Sequence, residues 1–441
     1  MKRISVAPEE ADIVDLSHEG QGVAKPDGKA VFVADALPGE RVVLRRIGRR
    51  RNYDEAVLEQ VLVASPDRVA AECPHFGVCG GCALQHLAPT AQLAFKQAQL
   101  LENLARLGSV QPEHVLEPLT GPVWGYRRRA RLGIKLVPRK GRVLVGFRER
   151  SAPYVADLHE CRVLAPPAGS LMDPLAELVA GLSIAARVPQ AEVAVTDDTC
   201  ALVLRVLDEP SADDLAKLRQ FETDHPVRFY LQPGGVETVR PLEEGQPPLG
   251  YALSAFGLRL EFEPTDFIQV NGALNEAMVS RAIELLEIEP SDAVLDLFCG
   301  LGNFSLPLAT RAREVVGVEG DAGLVARAAA NARRNAIANA SFFAADLTAD
   351  PGPASWAGRP YDCVLLDPPR AGAREILPLV GRSGARRVVY ISCHPGSLAR
   401  DAGLLVREHG FRLHAAGVMD MFPHTTHVEA VAVFERGVAR S

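Results

Sequence analysis

The rhythm of hydrophobic and polar positions changes twice along the chain and divides it into three parts. In residues 1–66 the apolar positions come in short alternating runs: Ala11 to Leu16, Gly22 to Lys25, Ala30 to Val33, Glu40 to Ile47 and Ala56 to Ala64. Between them lie Glu19-Gly20-Gln21-Gly22, Pro26-Asp27-Gly28 and Pro38-Gly39, residues that supply turns. Five short strands so punctuated predict a small β-barrel.

Residues 67–262 have a mixed pattern. A Cys- and Gly-rich knot at 73–82 precedes a helix opened by Pro89-Thr90, with Leu93, Leu100, Leu104 and Leu107 on one face and Gly108 closing it. Alternation in Arg142 to Phe147 and Cys200 to Val206 predicts a mixed α+β, mostly antiparallel domain, with Gly245 to Gly250 a Pro-rich loop. From 263 to 441 strands alternate with helices. The strands are Ala293 to Phe298, Glu314 to Glu319, Ala340 to Asp346, Tyr361 to Asp367, Arg386 to Ser392, Phe411 to Met419 and Val428 to Phe434. Helices such as Asp321 to Ile337 and Gly396 to Glu408 fall between most of them. The grammar predicts a parallel, doubly wound, Rossmann-like sheet of seven strands, so the whole is a multi-domain α/β protein. The last two strands lack a helix between them and are expected to pair antiparallel.

Composition narrows the possibilities. Among 441 residues, 48 Lys and Arg face 55 Asp and Glu, which excludes a wholly basic nucleic-acid binder but not a basic face. Two such faces are candidates for meeting phosphate: Arg45, Arg46, Arg49, Arg50 and Arg51 in the barrel, and a stretch from Arg127, Arg128 and Arg129 to Arg150. A solvated loop is the plain alternative for the first. No apolar run reaches the roughly 18 residues of a membrane helix. Met1-Lys2-Arg3-Ile4-Ser5 has no apolar segment behind it, so no secretory signal is expected. Eight cysteines in so long a chain are no disulfide scaffold. A soluble, cytoplasmic monomer without a membrane partner is expected.

Asp296-Leu297-Phe298-Cys299-Gly300-Leu301-Gly302-Asn303 lies where the first strand of the last domain turns into a helix, the place where open α/β sheets bind ligands. Glu319, Asp346 and Asp367 end the next three strands, so four acids rim one site. Ser305 stands where a dinucleotide fingerprint would have its third glycine. A cationic, pyrophosphate-free cofactor such as S-adenosylmethionine suits an acidic rim better. Cys299 and Cys363 lie within apolar strands and read as core.

Asp367-Pro368-Pro369-Arg370 follows the fourth strand, and Ser392-Cys393-His394-Pro395 follows the fifth. Cys393 is outside any apolar run and near a helix amino terminus, where a thiolate is expected to be stabilised, so it is the candidate nucleophile. Glu429 interrupts the run from Val428 to Phe434, and a carboxylate there is either a salt-bridged strand end or a functional acid. Cys73-x5-Cys79-x2-Cys82, with Cys161 downstream, offers four thiolates. Spacing alone leaves zinc, an iron–sulfur cluster and no metal open.

Taken in order, Phe267-Ile268-Gln269-Val270-Asn271, Asp296 to Asn303, Asp367 to Arg370, Ser392 to Pro395 with Leu398-Ala399-Arg400-Asp401, and Asp420-Met421-Phe422-Pro423-His424-Thr425 through Glu429 resemble the RNA uracil-5-methyltransferase family over nearly the whole chain. The resemblance implies that Cys393 attacks uracil C6 and that Glu429 removes the C5 proton after methylation. It places S-adenosylmethionine against Gln269, Phe298, Asn303, Glu319, Asp346 and Asp367, and a [4Fe-4S] cluster on Cys73, Cys79, Cys82 and Cys161. Position 394 is His where Asn is usual, and 397 is Ser where Thr is usual. The first part resembles a TRAM domain, an RNA-binding barrel. Radical methylthiotransferases share such parts but use Cys-x3-Cys-x2-Cys with the barrel at the other end. Barrel and cysteines together point to the family member acting on 23S ribosomal RNA, at U1939, rather than on transfer RNA or DNA. A flipped-out base should then meet Phe267. A non-catalytic RNA-binding or ribosome-assembly factor is the alternative of another class, and the intact set Cys393, Glu429 and Asp367 argues against it.

Overall fold

The computed structural model describes residues 2–3, 7–349 and 352–436. Most of the amino-terminal stretch read for a secretory signal lies outside them. No helix among the described residues is long and apolar enough to cross a membrane.

The five predicted barrel strands form at Glu9–Leu16, Gly22–Ala24, Ala30–Ala34, Arg41–Arg49 and Tyr53–Val63. They close on themselves, because Arg41–Arg49 pairs with both Glu9–Leu16 and Tyr53–Val63, and Tyr53–Val63 runs parallel to Ala30–Ala34. Alternate side chains, among them Ile13, Val31, Val33, Val42, Leu44 and Ala56, fill the interior. Closure leaves no sheet edge to aggregate.

The central sheet is antiparallel apart from one parallel pair, Cys200–Arg205 with Val227–Gln232. Helices Met172–Ala180 and Ala212–Asp224 contribute Leu175, Val179, Leu218 and Phe221 to its core. A separate hairpin, Leu249–Leu253 with Leu258–Phe262, packs Tyr251 and Leu260 against Leu301, Leu306 and Ala332 of the last domain. The loop predicted over Gly245 to Gly250 thus gives its last two residues to a strand.

The last domain carries the predicted parallel strands Ala340–Ala344, Glu314–Glu319, Ala293–Leu297, Cys363–Leu366 and Arg387–Ser392, in that spatial order. Glu429–Arg436 follows antiparallel, between Arg387–Ser392 and Phe411–Met419. The sheet has eight strands rather than seven, because His114–Val115 from the preceding part adds to the edge beside Ala415 and Ala416. Chain order reverses between Ala293–Leu297 and Cys363–Leu366, so the crevice at their carboxyl ends is a topological switch point.

The helix after the cysteine knot, Pro89–Asn103, differs from its predicted face. Its buried stripe is Gln92, Lys96 and Leu100, continued by Leu104 in the next turn, whereas Leu107 is exposed. Two polar residues go inside because they bond a buried loop: Gln92 to the Leu84 and Leu87 carbonyls, and Lys96 to Asp420 and the Phe422 carbonyl. Satisfied hydrogen bonds offset the desolvation that apolar periodicity takes as prohibitive.

Candidate active site

The switch point is built by a backbone that bends sharply. Phe298, Gly300 and Gly302 all have positive φ, at 66°, 54° and 97°. This turn brings the Gly300 N–H to Glu319 Oε2 at 3.1 Å, and Glu319 Oε1 accepts from Gly320 and Asp321. Asp296 lies beneath, fully buried, with one oxygen bonded to Ser305 and Oδ1 without a partner. Burial, and then the charges of Asp367 and Glu319, push its carboxyl up to about 7. Burial does the same to Asp367, also to about 7, with Glu319 adding. Gln269 reaches across with Nε2 at 3.5 Å from Asp367 Oδ2, while Arg128 Nε holds the Gln269 carbonyl at 2.8 Å.

Other predicted cofactor contacts are more varied. The Asn303 amide is already engaged, by the Tyr251 hydroxyl at 2.8 Å and by Asn275 through both amide groups. Asp346 is exposed beyond its strand and accepts from the Thr348 N–H and hydroxyl. Phe298 packs part-buried against the core. Phe267 is 68% exposed, a large aromatic face open to solvent two residues before Gln269.

One loop follows Asp367 and another carries Cys393, and a buried acid ties them together. Asp401 Oδ2 accepts from the Ala373 N–H at 2.8 Å and from the Tyr390 hydroxyl at 2.6 Å, while Arg400 donates to the Ala371 carbonyl. Only glycine fits at 372, where φ is +87° and a Cβ would meet Arg400 and Asp401 at 2.5 Å. The loop after Asp367 is thereby locked to the helix after Cys393. That helix is capped by His394, whose Nδ1 accepts from the Ser397 N–H at 3.1 Å. The His–Ser pair thus satisfies the helix end.

The thiol itself departs from expectation. Burial, then Glu429 and Asp367, push Cys393 up to about 11, so in the free site it is a thiol rather than a thiolate. The nearby helix terminus is outweighed by desolvation and two acids. Glu429 is buried at the first rung of its strand, opposite Met419. It has no ion-pair partner among the described residues, so the salt-bridged strand-end reading falls. Burial, with Asp367 adding, holds its carboxyl well above the usual range. Cys299 and Cys363 are buried in the core.

Cys73, Cys79, Cys82 and Cys161 line one small pocket, together with Phe76, Phe147, Leu158 and Val163. Burial, with the other thiols adding, pushes Cys79 up to about 11 and Cys82 to about 12. Among the described residues, three ligating atoms fall within 4.8 Å of one another only at Glu113, His114 and His414.

The five-arginine reading of the barrel is corrected in part. Arg46 is internal, held by Glu9, Asp27 and Asp54, and Arg45 pairs with Glu59. Strand alternation turns Arg46 inward, where the three acids neutralise it. Arg49 and Arg51 are exposed. Sequence reasoning missed the network around Tyr251, Asn275 and Asn303, and the pair Lys96–Asp420. Polar residues spaced by four in an amphipathic helix, Gln92 and Lys96, were the available signal for the latter.

A doubly wound sheet whose switch-point recess is lined by acids, with a cysteine on the adjoining loop, has the architecture of the methyltransferase class. Likeness to known proteins sharpens this. Residues 256–350 and 358–437 match the family described as tRNA (Uracil-5-)-methyltransferase, and residues 9–45 match the TRAM domain. The chain is 54% identical to the 23S rRNA (uracil(1939)-C(5))-methyltransferase RlmD of Alkalilimnicola ehrlichii, over 99% of this chain and 98% of that one. It is 51% identical to the protein of the same name from Xanthomonas campestris pv. campestris, over 98% of each. Among solved structures, it resembles Pyrococcus abyssi tRNA (uracil-54, C5)-methyltransferase in complex with S-adenosyl-L-homocysteine, with a TM-score of 0.74, 24% identity, and coverage of 96% of this chain and 99% of that one. The chain belongs to the RNA uracil-5-methyltransferase family and is an enzyme of it.

Proposed function

We propose that the enzyme transfers a methyl group from S-adenosylmethionine to C5 of a uridine in 23S ribosomal RNA, the uridine numbered 1939 in the relatives' name. The observation that carries the chemistry is the grouping of Cys393, Glu429 and Asp367, close enough for both acids to act on the thiol. S-adenosylmethionine supplies an electrophilic methyl on a cationic sulfur. The recess fits it, since Asp296, Glu319 and Asp367 would balance a sulfonium and repel a pyrophosphate. Gln269, Phe298, Asn303 and Asp346 complete the set we assign to it.

Uracil C5 is a poor nucleophile until something adds at C6. In our reading the Cys393 sulfur, once ionised, bonds C6, and the displaced electron pair makes C5 nucleophilic toward the methyl. Glu429 then takes the C5 proton. The pair left at C5 restores the C5–C6 double bond and expels Cys393 as thiolate, so the base gains a methyl and loses one proton. Glu429 must be ionised to act, and a cation beside Asp367 favours that form. Exposed Phe267 would stack on the extruded base, and Arg49 and Arg51 would meet phosphate. Such an enzyme works where ribosomes are made, in the cytoplasm.

We assign a [4Fe-4S] cluster to Cys73, Cys79, Cys82 and Cys161. Support comes from four thiols lining one apolar-walled pocket. Such a cluster would take all four sulfurs as ligands. Methyl transfer takes no electron from the protein, so its role is structural or RNA-positioning.

The test separates the two reacting residues. Cys393→Ala should give neither methyl transfer nor a covalent RNA adduct. Glu429→Gln should add to the base and transfer the methyl, then stall, leaving a protein–RNA band on a denaturing gel. A base supplies about 10²–10⁴-fold, so wild-type turnover by Glu429→Gln would remove it from the mechanism. A transfer-RNA uridine is the second reading, favoured by the likeness to the Pyrococcus abyssi structure. Mapping 5-methyluridine in both RNAs of cells lacking this chain decides between them.

A further inference from the structure

The loop between Met419 and Glu429 is touched by both the barrel and the central part of the molecule. Lys96 binds Asp420 and the Phe422 carbonyl, and the Tyr126 hydroxyl binds the Pro423 carbonyl at 3.0 Å. The barrel reaches it too: a Cβ at Gly20 would lie 2.8 Å from Thr426 Cγ2.

The tightest of these interactions converge on His424, and they come from the cysteine knot. The His424 carbonyl accepts two N–H groups, Ala83 at 2.8 Å and Leu84 at 2.9 Å, the residues immediately after Cys82. Its own N–H donates to Gln92 Oε1 at 2.9 Å. Its ring stacks on Trp124, with centroids 4.1 Å apart, and Trp124 also carries the guanidinium of Arg162 at 5.0 Å. Arg162 immediately follows Cys161, and its carbonyl also binds the Gly125 N–H at 2.8 Å. His424 is thus gripped from both ends of the cysteine set. It is held with φ at +64°, in the left-handed region that β-branched residues avoid. Five residues on, the chain enters the sheet at Glu429.

We propose that His424 is a positioning residue through which the filled cysteine site fixes the loop that aims Glu429. The inference rests on the roles proposed above for Glu429 and the four cysteines. A group bound by Cys82 and Cys161 holds the Ala83–Leu84 turn and the Arg162–Trp124 stack in place. These in turn hold the His424 backbone and ring. Releasing them frees the loop at its middle, while Lys96 and the two flanking strands still hold its ends. The step that suffers is proton removal from C5, since addition and methyl transfer involve Cys393 on a different loop.

Two measurements test this. The first is hydrogen exchange on the full chain, as isolated anaerobically and after oxidation and chelation of its iron. Amides of 420–429 should exchange roughly tenfold faster or more after iron removal, while Arg387–Ser392 stays protected. Unchanged exchange in 420–429 overturns the link. The second compares His424→Val, which cannot hold the left-handed backbone, with His424→Asn, which can. His424→Val should form the RNA adduct at the parent rate but release it roughly tenfold more slowly or worse, as expected of a base moved off its target. His424→Asn should restore most of the release rate. A merely structural defect would slow formation and release alike. If Glu429→Gln traps the adduct and His424→Val does not, this inference fails alone. If Glu429→Gln traps none, the reading of Glu429 fails first. The exchange experiment holds even if His424→Val does not fold.

Discussion

Lys96 and Asp420, distant in sequence, form a 2.7 Å ion pair with side chains only 1% and 6% exposed. The pair pins the helix after the cysteine knot to the end of strand Phe411–Met419. Losing one partner leaves a buried charge without compensation, so Lys96→Met should cost about 3–5 kcal/mol. Replacing both, with Asp420→Leu added, should recover much of that, because two apolar groups need no desolvation. Urea unfolding of the three variants checks this, and a double variant no more stable than Lys96→Met would show the pair to matter otherwise.

The barrel's arginines should separate into two kinds. Arg46→Gln removes the cation that Glu9, Asp27 and Asp54 share in the barrel wall, and should loosen the barrel. Arg49→Gln with Arg51→Gln should leave the fold intact and reduce the salt dependence of RNA binding, by roughly 0.7–0.9 logarithmic units of slope for each phosphate no longer neutralised. Circular dichroism melts and binding isotherms from low to high salt read the two effects. An unchanged slope would return Arg49 and Arg51 to a solvated loop.

What can be read from the sequence follows from local rules. Strand alternation, turn residues and strand–helix grammar yield the barrel and the doubly wound sheet with strand ends within about three residues, because each is decided by neighbours within a few positions. Only two of the six strands of the central sheet, by contrast, are legible. The rim acids and Cys393 are legible for the same reason, since strand ends define a rim. Lys96, Gln92 and His424 are not, because their partners lie more than 300 residues away and their polarity reads as surface. The Cys393 thiol misleads in the same way: the helix terminus beside it is local, whereas Glu429 and burial, which dominate, are tertiary. Arg46 reads as a phosphate ligand because two of the acids that neutralise it, Glu9 and Asp27, reach it only when the barrel closes.

The cysteine site should declare its content on purification. Anaerobically prepared protein should be brown, with about four irons per chain, as four cysteine ligands and a cuboidal cluster require. Cys73→Ser should lose the colour and bind RNA poorly, with the last domain still folded, since none of the four thiols lies in its sheet. Stoichiometric zinc without iron would overturn the assignment.

Cofactor affinity should depend on pH with a sign set by Asp296 and Asp367. Burial raises both to about 7, and they titrate as a coupled pair. A raised carboxyl keeps a proton in the folded chain that the unfolded chain has already lost. Its contribution to stability therefore falls as pH climbs from about 4 through 7 and stays lost above. The empty enzyme should on this account be more stable near pH 6 than near pH 8. Binding of a sulfonium runs the other way, because it is strengthened by the ionised acids. Affinity for S-adenosylmethionine should rise about tenfold per pH unit per proton released below 7, then level off. S-adenosylhomocysteine has the same shape and a neutral sulfur, so its affinity should change far less, and Asp367→Asn should flatten the S-adenosylmethionine profile. Calorimetric titrations from pH 6 to 8, in two buffers of different ionisation enthalpy, count the protons directly. Equal pH slopes for the two ligands would mean that the acids do not face the charge on sulfur.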